Sequence, residues 1–404
     1  MTPFFPTRPF HASAFPARVA LERREGWSAR ESRIVLPPRG PRAFFRLYPS
    51  QLAKGDATPC GLDLAANATE TMTTTVAALL FFAGAALSLT SSWVVVSRIE
   101  RVGSRLGASE ALLGIVSALA ANAPEVTSSV SALVEHRGAL GTGVAIGSNV
   151  FNLAALLGLG SIVGGVIALH RRVVVLQGAI ALWVAAVSVV TLANLVPTGV
   201  GLLLALGALV PYGALVALDG SRWWRRPNPS DLRRWLARAI AEEELELSAS
   251  IHPARGRARD VLVGAGALVV VVVASVAMER GASKLGVRLA VPGIIVGGLV
   301  LAAVTSLPNA VAAVYWAKRG RGVALLSTGL NSNALNVAAG FLVPVALIGH
   351  VRASSPELLV VGWYAGLTAV VLGAAYAQRG LRRAVGWGIV IGYLVFVAIL
   401  VVLS

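Results

Sequence analysis

Cysteine is almost absent: Cys60 is the only one in 404 residues. That excludes a disulfide scaffold and a thiolate zinc centre, both of which need several such ligands. Charge is also scarce, at 13% of residues against 56% hydrophobic; soluble domains average about 25% charged and about 45–50% apolar. With a mean hydropathy of +0.74 the chain is no soluble enzyme but a polytopic membrane protein. Acidic residues are the scarcer sign, 19 against 35 basic, for a net charge of +16. In a soluble protein that excess would suggest nucleic acid. Here the positive residues lie in loops between apolar runs, so lipid is the expected partner and nucleic acid is not. A Gly-Lys-Ser/Thr phosphate loop is missing, which leaves ATP-driven pumping without support. No enzymatic reaction, cofactor or obligate protein partner is expected.

Apolar runs of about 20 residues can span a bilayer. Ten are present, at roughly 73–96, 108–134, 142–168, 173–193, 197–217, 261–280, 289–317, 322–349, 356–377 and 384–403. One hydrophilic interruption, 219–260, divides them into a first half, 72–218, and a second, 261–404. Loops after the odd-numbered spans hold 20 Lys/Arg, and loops after the even-numbered ones hold 5. Positive residues favour the cytoplasmic side. The expectation is a multi-pass cell-membrane protein with loop 219–260 inside and both ends of the bundle outside. Residues 1–71 are rich in Arg and Pro and carry ten further positive charges, against that bias. They have neither a spanning run nor a signal peptide's apolar core. They are expected to be absent from the mature protein, with Met72 as an alternative start, or to form a disordered arm.

The chain repeats itself. Asn-Ala-Pro-Glu at 122–125 precedes Gly-Ser-Asn-Val-Phe-Asn at 147–152; Ser-Leu-Pro-Asn at 306–309 precedes Asn-Ser-Asn-Ala-Leu-Asn at 331–336. A constant offset of 184 aligns both pieces without a gap, with 12 identities in the 42 positions from Gly114 to Ala155. Five spans per half make the halves cross the membrane in opposite senses, the plan of many secondary transporters. Pro124 and Pro308 interrupt two spans. Gly147-Ser148-Asn149 and Asn331-Ser332-Asn333 are expected to interrupt the next ones. Irregular backbone at that depth is tolerated where it lines a cavity or is buried in protein. The fold class expected is therefore an all-α membrane protein of about ten spans in two inverted five-helix repeats.

These motifs resemble the paired alpha-repeats of the calcium/cation antiporter superfamily, which includes the sodium/calcium exchangers. The resemblance covers about 105–165 and 289–349. It implies a secondary active antiporter working by alternating access, with calcium, sodium or protons as transported cations. By motif position it implies ion ligation by Glu125, Asn152, Asn309 and Asn336, with Ser148, Ser332, Thr305 and Ser306 as accessory hydroxyls. Two departures stand out. Asn309 occupies a position where the family usually carries Glu, and Ala121-Asn122 replaces a Thr-Ser pair. One central carboxylate, Glu125, remains. Oxygen donors of this kind suit hard cations, and no His or Cys lies near to suit a softer metal. Two alternatives stay open: a monovalent-cation or cation/proton exchanger that has lost calcium, and a transport-inactive scaffold or regulator.

In the central loop, Leu232, Trp235, Leu236, Ala239 and Ile240 recur at helical spacing among arginines. This pattern predicts a helix lying on the inner membrane surface. Glu242-Glu243-Glu244 is expected to be a solvated acidic turn rather than a calcium sensor.

Overall fold

Lipid offers the backbone no hydrogen-bond partner, so a spanning segment closes its bonds within a helix. The apolar runs do so here. The computed structural model describes residues 72–106, 110–217, 230–248, 257–349 and 353–404. The extension 1–71 lies outside the described residues, as do 218–229 and 249–256 of the central loop. The helices of the first half are α1 (Thr74–Leu106), α2 (Glu110–Ala121), α3 (Ala123–Val134), α4 (Gly138–Gly164), α5 (Arg171–Leu192) and α6 (Thr198–Ala217). The central loop forms α7 (Asp231–Ser248). The second half contributes α8 (Ala258–Arg288), α9 (Gly293–Thr305), α10 (Leu307–Lys318), α11 (Gly322–Ile348), α12 (Ser355–Gln378) and α13 (Arg383–Leu403).

Among the described residues, eight helices are long and apolar enough to cross a membrane singly, and the bent pair α9–α10 makes a ninth candidate. The expected span 108–134 falls on α2 and α3, interrupted at Asn122. The two interruptions are alike: Asn122 has φ −84°, ψ 1° and Ser306 has φ −88°, ψ 4°. Each is followed by a proline in the first helical turn, where a missing N–H costs nothing. The boundaries of α3 and α10 differ by 184 residues at both ends, as do those of α4 and α11.

The other two expected breaks do not occur. Helices α4 and α11 run on through Ser148 and Ser332, and Ser148 has helical φ −59°, ψ −33°. Their irregularity is π-helical instead: Gly143–Gly147 and Leu153–Leu159 in α4, Asn336–Leu342 in α11. The Ser and Asn side chains are engaged across the bundle rather than in capping their own helices, so no break forms. Wide π turns of this kind gather at functional sites. The third span also ends earlier than expected. Gly165, at φ +75°, terminates α4, and Val166–Ala168 pairs antiparallel with Gly380–Arg382 in a short ribbon.

Helices α4 and α11 are the centre of the bundle. Their apolar stretches are 78% and 61% buried, against 22% for α6, α8 and α13. Ile146, Leu153, Leu156, Leu325, Val337 and Phe341 belong to one cluster with Tyr364 and Phe396. The outer helices present Leu203, Val210, Leu262 and Val402 outward, a surface that only lipid can cover comfortably.

The central-loop helix is present, but Glu243 is not solvated. It is 2% exposed and hydrogen-bonded to the bundle, and Glu242 pairs with Arg172. Gln177 and Arg172 on α5 supply donors that the loop sequence alone does not reveal.

Candidate functional site

Glu125 sits in the first turn of α3, one residue after Pro124, where a helix N-terminus favours negative charge. Its side chain is buried, 1% exposed, and Ser306 Oγ donates to its Oε1 at 3.0 Å. Ser306 is the residue at the α9–α10 break, so the interruption of one half touches the carboxylate of the other.

Around it the asparagines form a clasp with two-fold character. Asn149 Nδ2 donates to the Asn333 carbonyl at 3.1 Å, and Asn333 Nδ2 donates to the Asn149 carbonyl at 3.1 Å. The two residues are 184 apart in sequence. A second symmetric pair surrounds the first. Asn152 Nδ2 donates to Asn333 Oδ1 at 3.1 Å, and Asn336 Nδ2 donates to Asn149 Oδ1 at 3.2 Å. The Asn149 and Asn333 carbonyls accept the side-chain amides of the first pair in addition to backbone N–H groups of their own helices.

The symmetry fails at one point. Asn309 Nδ2 donates to Asn152 Oδ1 at 3.0 Å. By the same offset of 184 the counterpart pair is Glu125 and Asn336, which bond elsewhere: Glu125 with Ser306, and the Asn336 amide with Ser148 and Asn149. Neither Glu125 Oε2 nor Asn336 Oδ1 has a hydrogen-bond partner among the described residues, although both are buried. Leaving a buried polar atom unpaired costs about 1–3 kcal/mol.

The remaining expected residues divide. Ser148 Oγ accepts from Asn336 Nδ2 at 3.2 Å and donates to the Ala145 carbonyl. Ser332 Oγ donates to Asn122 Oδ1 at 2.5 Å, and Asn122 Nδ2 returns a bond to the Ser332 carbonyl at 2.9 Å. Thr305 stays out: its hydroxyl donates to Leu301 in its own helix at 2.9 Å. Asn122, Asn149 and Asn333 are the residues the motif reading left off its ligand set. The same 184-residue offset could have found Asn149 and Asn333, since each is the other's repeat. Glu279 was also missed. It lies at the end of an expected span, is fully buried in α8, and pairs with Arg137 at 2.8 Å.

A family model described as sodium/calcium exchanger protein matches residues 76–219 and 260–402, well over half of the chain. The chain belongs to the sodium/calcium exchanger protein family. Among solved structures, it resembles the sodium-calcium exchanger NCX_Mj, with TM-score 0.52 and 19% identity over 81% of this chain and all of that one. It is also similar to the H+/Ca2+ exchanger CAX, with TM-score 0.60 and 13% identity over 84% and 89% of the two chains. At these identities the likeness is one of fold. A candidate antiporter, CaxA of Alkalimonas amylolytica, is 36% identical over 81 residues, 20% of this chain. The match spans 25% of that relative's length.

Proposed function

We propose that this exchanger-family protein is a secondary cation antiporter of the sodium/calcium type, working by alternating access around Glu125 and the asparagine clasp. The observation that carries the reading is that two of the site's buried side-chain oxygens, Glu125 Oε2 and Asn336 Oδ1, have no hydrogen-bond partner among the described residues. Asn152, Asn309, Ser148, Ser306 and Ser332 complete the oxygen-rich surround, while the Thr305 hydroxyl stays bonded within its own helix. Such donors match a hard cation. On this reading α2–α3 and α9–α10 each count as one crossing, giving ten crossings in two inverted halves, with the loop 219–260 on the cytoplasmic side as the 20-to-5 charge bias supports. Calcium, sodium and protons are the candidate substrates.

A second reading, cation/proton exchange, draws on the single carboxylate. Glu125 alone leaves calcium with one uncompensated positive charge, whereas a proton or monovalent ion is neutralised fully. Flux in proteoliposomes separates these readings. Calcium uptake driven by a sodium gradient is the expected result; uptake that follows a proton gradient instead selects the second reading. Absence of cation-coupled flux in a folded, inserted protein would overturn both and leave a transport-inactive scaffold.

A further inference from the structure

Helix α7 is held to the bundle by polar as well as apolar contacts. Among its described side chains, Ala239 and Ile240 are buried, Trp235 and Leu236 are half-buried and Leu232 is exposed. The polar hold comes from two adjacent carboxylates. Glu242 Oε1 lies 2.6 Å from Arg172 Nη1 on α5. Glu243 Oε1 accepts from Gln177 Nε2 on α5 at 2.7 Å and from Ser327 Oγ on α11, and Tyr212 of α6 donates to it at 3.5 Å. One carboxylate thus ties three membrane helices to the loop.

The contact leads inward. Ser327 stands five residues into α11 and Asn331 nine, about 7.5 and 13.5 Å along the axis at 1.5 Å per residue. The Tyr212 hydroxyl lies 2.5 Å from Gln177 Nε2. Five residues beyond Ser327 on the same helix is Ser332, whose hydroxyl is bonded to Asn122. Helix α11 therefore carries both the Glu243 contact and part of the clasp. A hydrogen-bonded anchor of this kind trades its partners for water when the helix moves away, at a modest net cost per bond.

We infer that Glu243 is a positioning residue of the exchange reaction: through Gln177 and Tyr212 it latches α7 over the loop-side end of α5, α6 and α11, and the latch releases when the site opens to that side. The inference rests on the antiporter reading above. Two measurements test it, one of them independent of transport. With Cys60→Ser as background, Arg172→Cys and Glu242→Cys are bridged by a bifunctional thiosulfonate that reductant cleaves. Cation flux in proteoliposomes should fall at least tenfold when bridged and return on reduction; full flux at complete bridging would overturn the latch. Separately, spin labels at the exposed positions Arg238 and Val175 report the α7–α5 distance. Two distance populations are expected, the longer enriched by Glu243→Ala, and a single unchanged population in both proteins would overturn it. If the parent protein moves no cation, the antiporter reading fails while the distance measurement still decides the latch.

Discussion

Asn309 and Glu125 stand 184 residues apart at matching positions of α10 and α3, and they differ as a hydrogen-bond donor from an acceptor. Asn309 brings its own hydrogen to Asn152 Oδ1, a bond of 3.0 Å that closes its half of the network. Glu125 has no such hydrogen when ionised, and its half keeps two bare oxygens. Two predictions follow from that contrast. Glu125→Gln would supply an amide donor in the first half, as Asn309 does in the second. It should leave folding intact and reduce coupled flux at least a hundredfold; flux within twofold of the parent would remove Glu125 from the mechanism. Asn309→Glu does the reverse. It replaces a donor by an acceptor against Asn152, costing about 1–3 kcal/mol in the cation-free protein, and it adds a second carboxylate for a divalent ion. The cation-free Tm should drop, and added calcium should raise it by more than in the parent, with divalent binding at least tenfold tighter. These residues are legible in sequence because a fixed offset exposes them. The bonding pattern is not: nothing in the spacing says that Asn309 spends its amide on Asn152, or that Thr305 turns to Leu301.

At the scale of the element, α4 and α9 approach through glycine. A Cβ on Gly147 would lie 2.5 Å from Gly298 Cα and 2.6 Å from the Gly298 carbonyl oxygen, with backbone rather than a movable side chain in the way. In lipid the hydrophobic effect does not drive helices together, so such close backbone contact and interhelical polar bonds must do so. Gly147→Ala should therefore push α4 from α9 and cost roughly 1–3 kcal/mol, the usual range for overpacking. Gly213 on α6 has open space around it, and Gly213→Ala should leave stability unchanged or raise it by up to about 1 kcal/mol through helix propensity. Thermal unfolding in detergent compares the two, and equal shifts would show that the α4–α9 contact is not tight. The helices themselves are readable from long apolar runs, and the α2–α3 and α9–α10 interruptions from Pro124 and Pro308. The π turns are not; they occur in α9 (Val296–Leu301) as well as in α4 and α11, with no mark in the sequence pattern. The buried Glu243 is likewise invisible. Its partners Gln177 and Ser327 stand 66 and 84 residues away in sequence, and a run of three glutamates reads as solvated until those donors are placed beside it.

At the scale of the whole molecule, α10 and α11 match α3 and α4 at an offset of 184, and the two halves are tied by polar bonds. The central tie is the reciprocal pair Asn149–Asn333; a peripheral one is Glu279 of α8 with Arg137, in the turn between α3 and α4. Interhelical polar bonds in membranes average about 0.6 kcal/mol and reach about 1.7, so the clasp holds by number. The ion pair is different, because its partners are unequally placed. The Glu279 side chain is fully buried, whereas Arg137 is 26% exposed and also pairs with Glu135. Removing the arginine by Arg137→Met strands a buried carboxylate, a defect that typically costs about 3–5 kcal/mol. Removing the acid by Glu279→Gln leaves Arg137 with Glu135 and with water in reach, and keeps an amide that Ser131 can still bond. The loss there should stay near the 1 kcal/mol or so of an ordinary hydrogen bond. The two variants should thus differ in Tm in a fixed order, Arg137→Met far below Glu279→Gln. The double variant should recover part of the loss of Arg137→Met, since its buried charge is gone. Equal destabilisation by the two single variants, or a double variant worse than both, would show that burial of Glu279 is not what binds α8 to the α3–α4 turn.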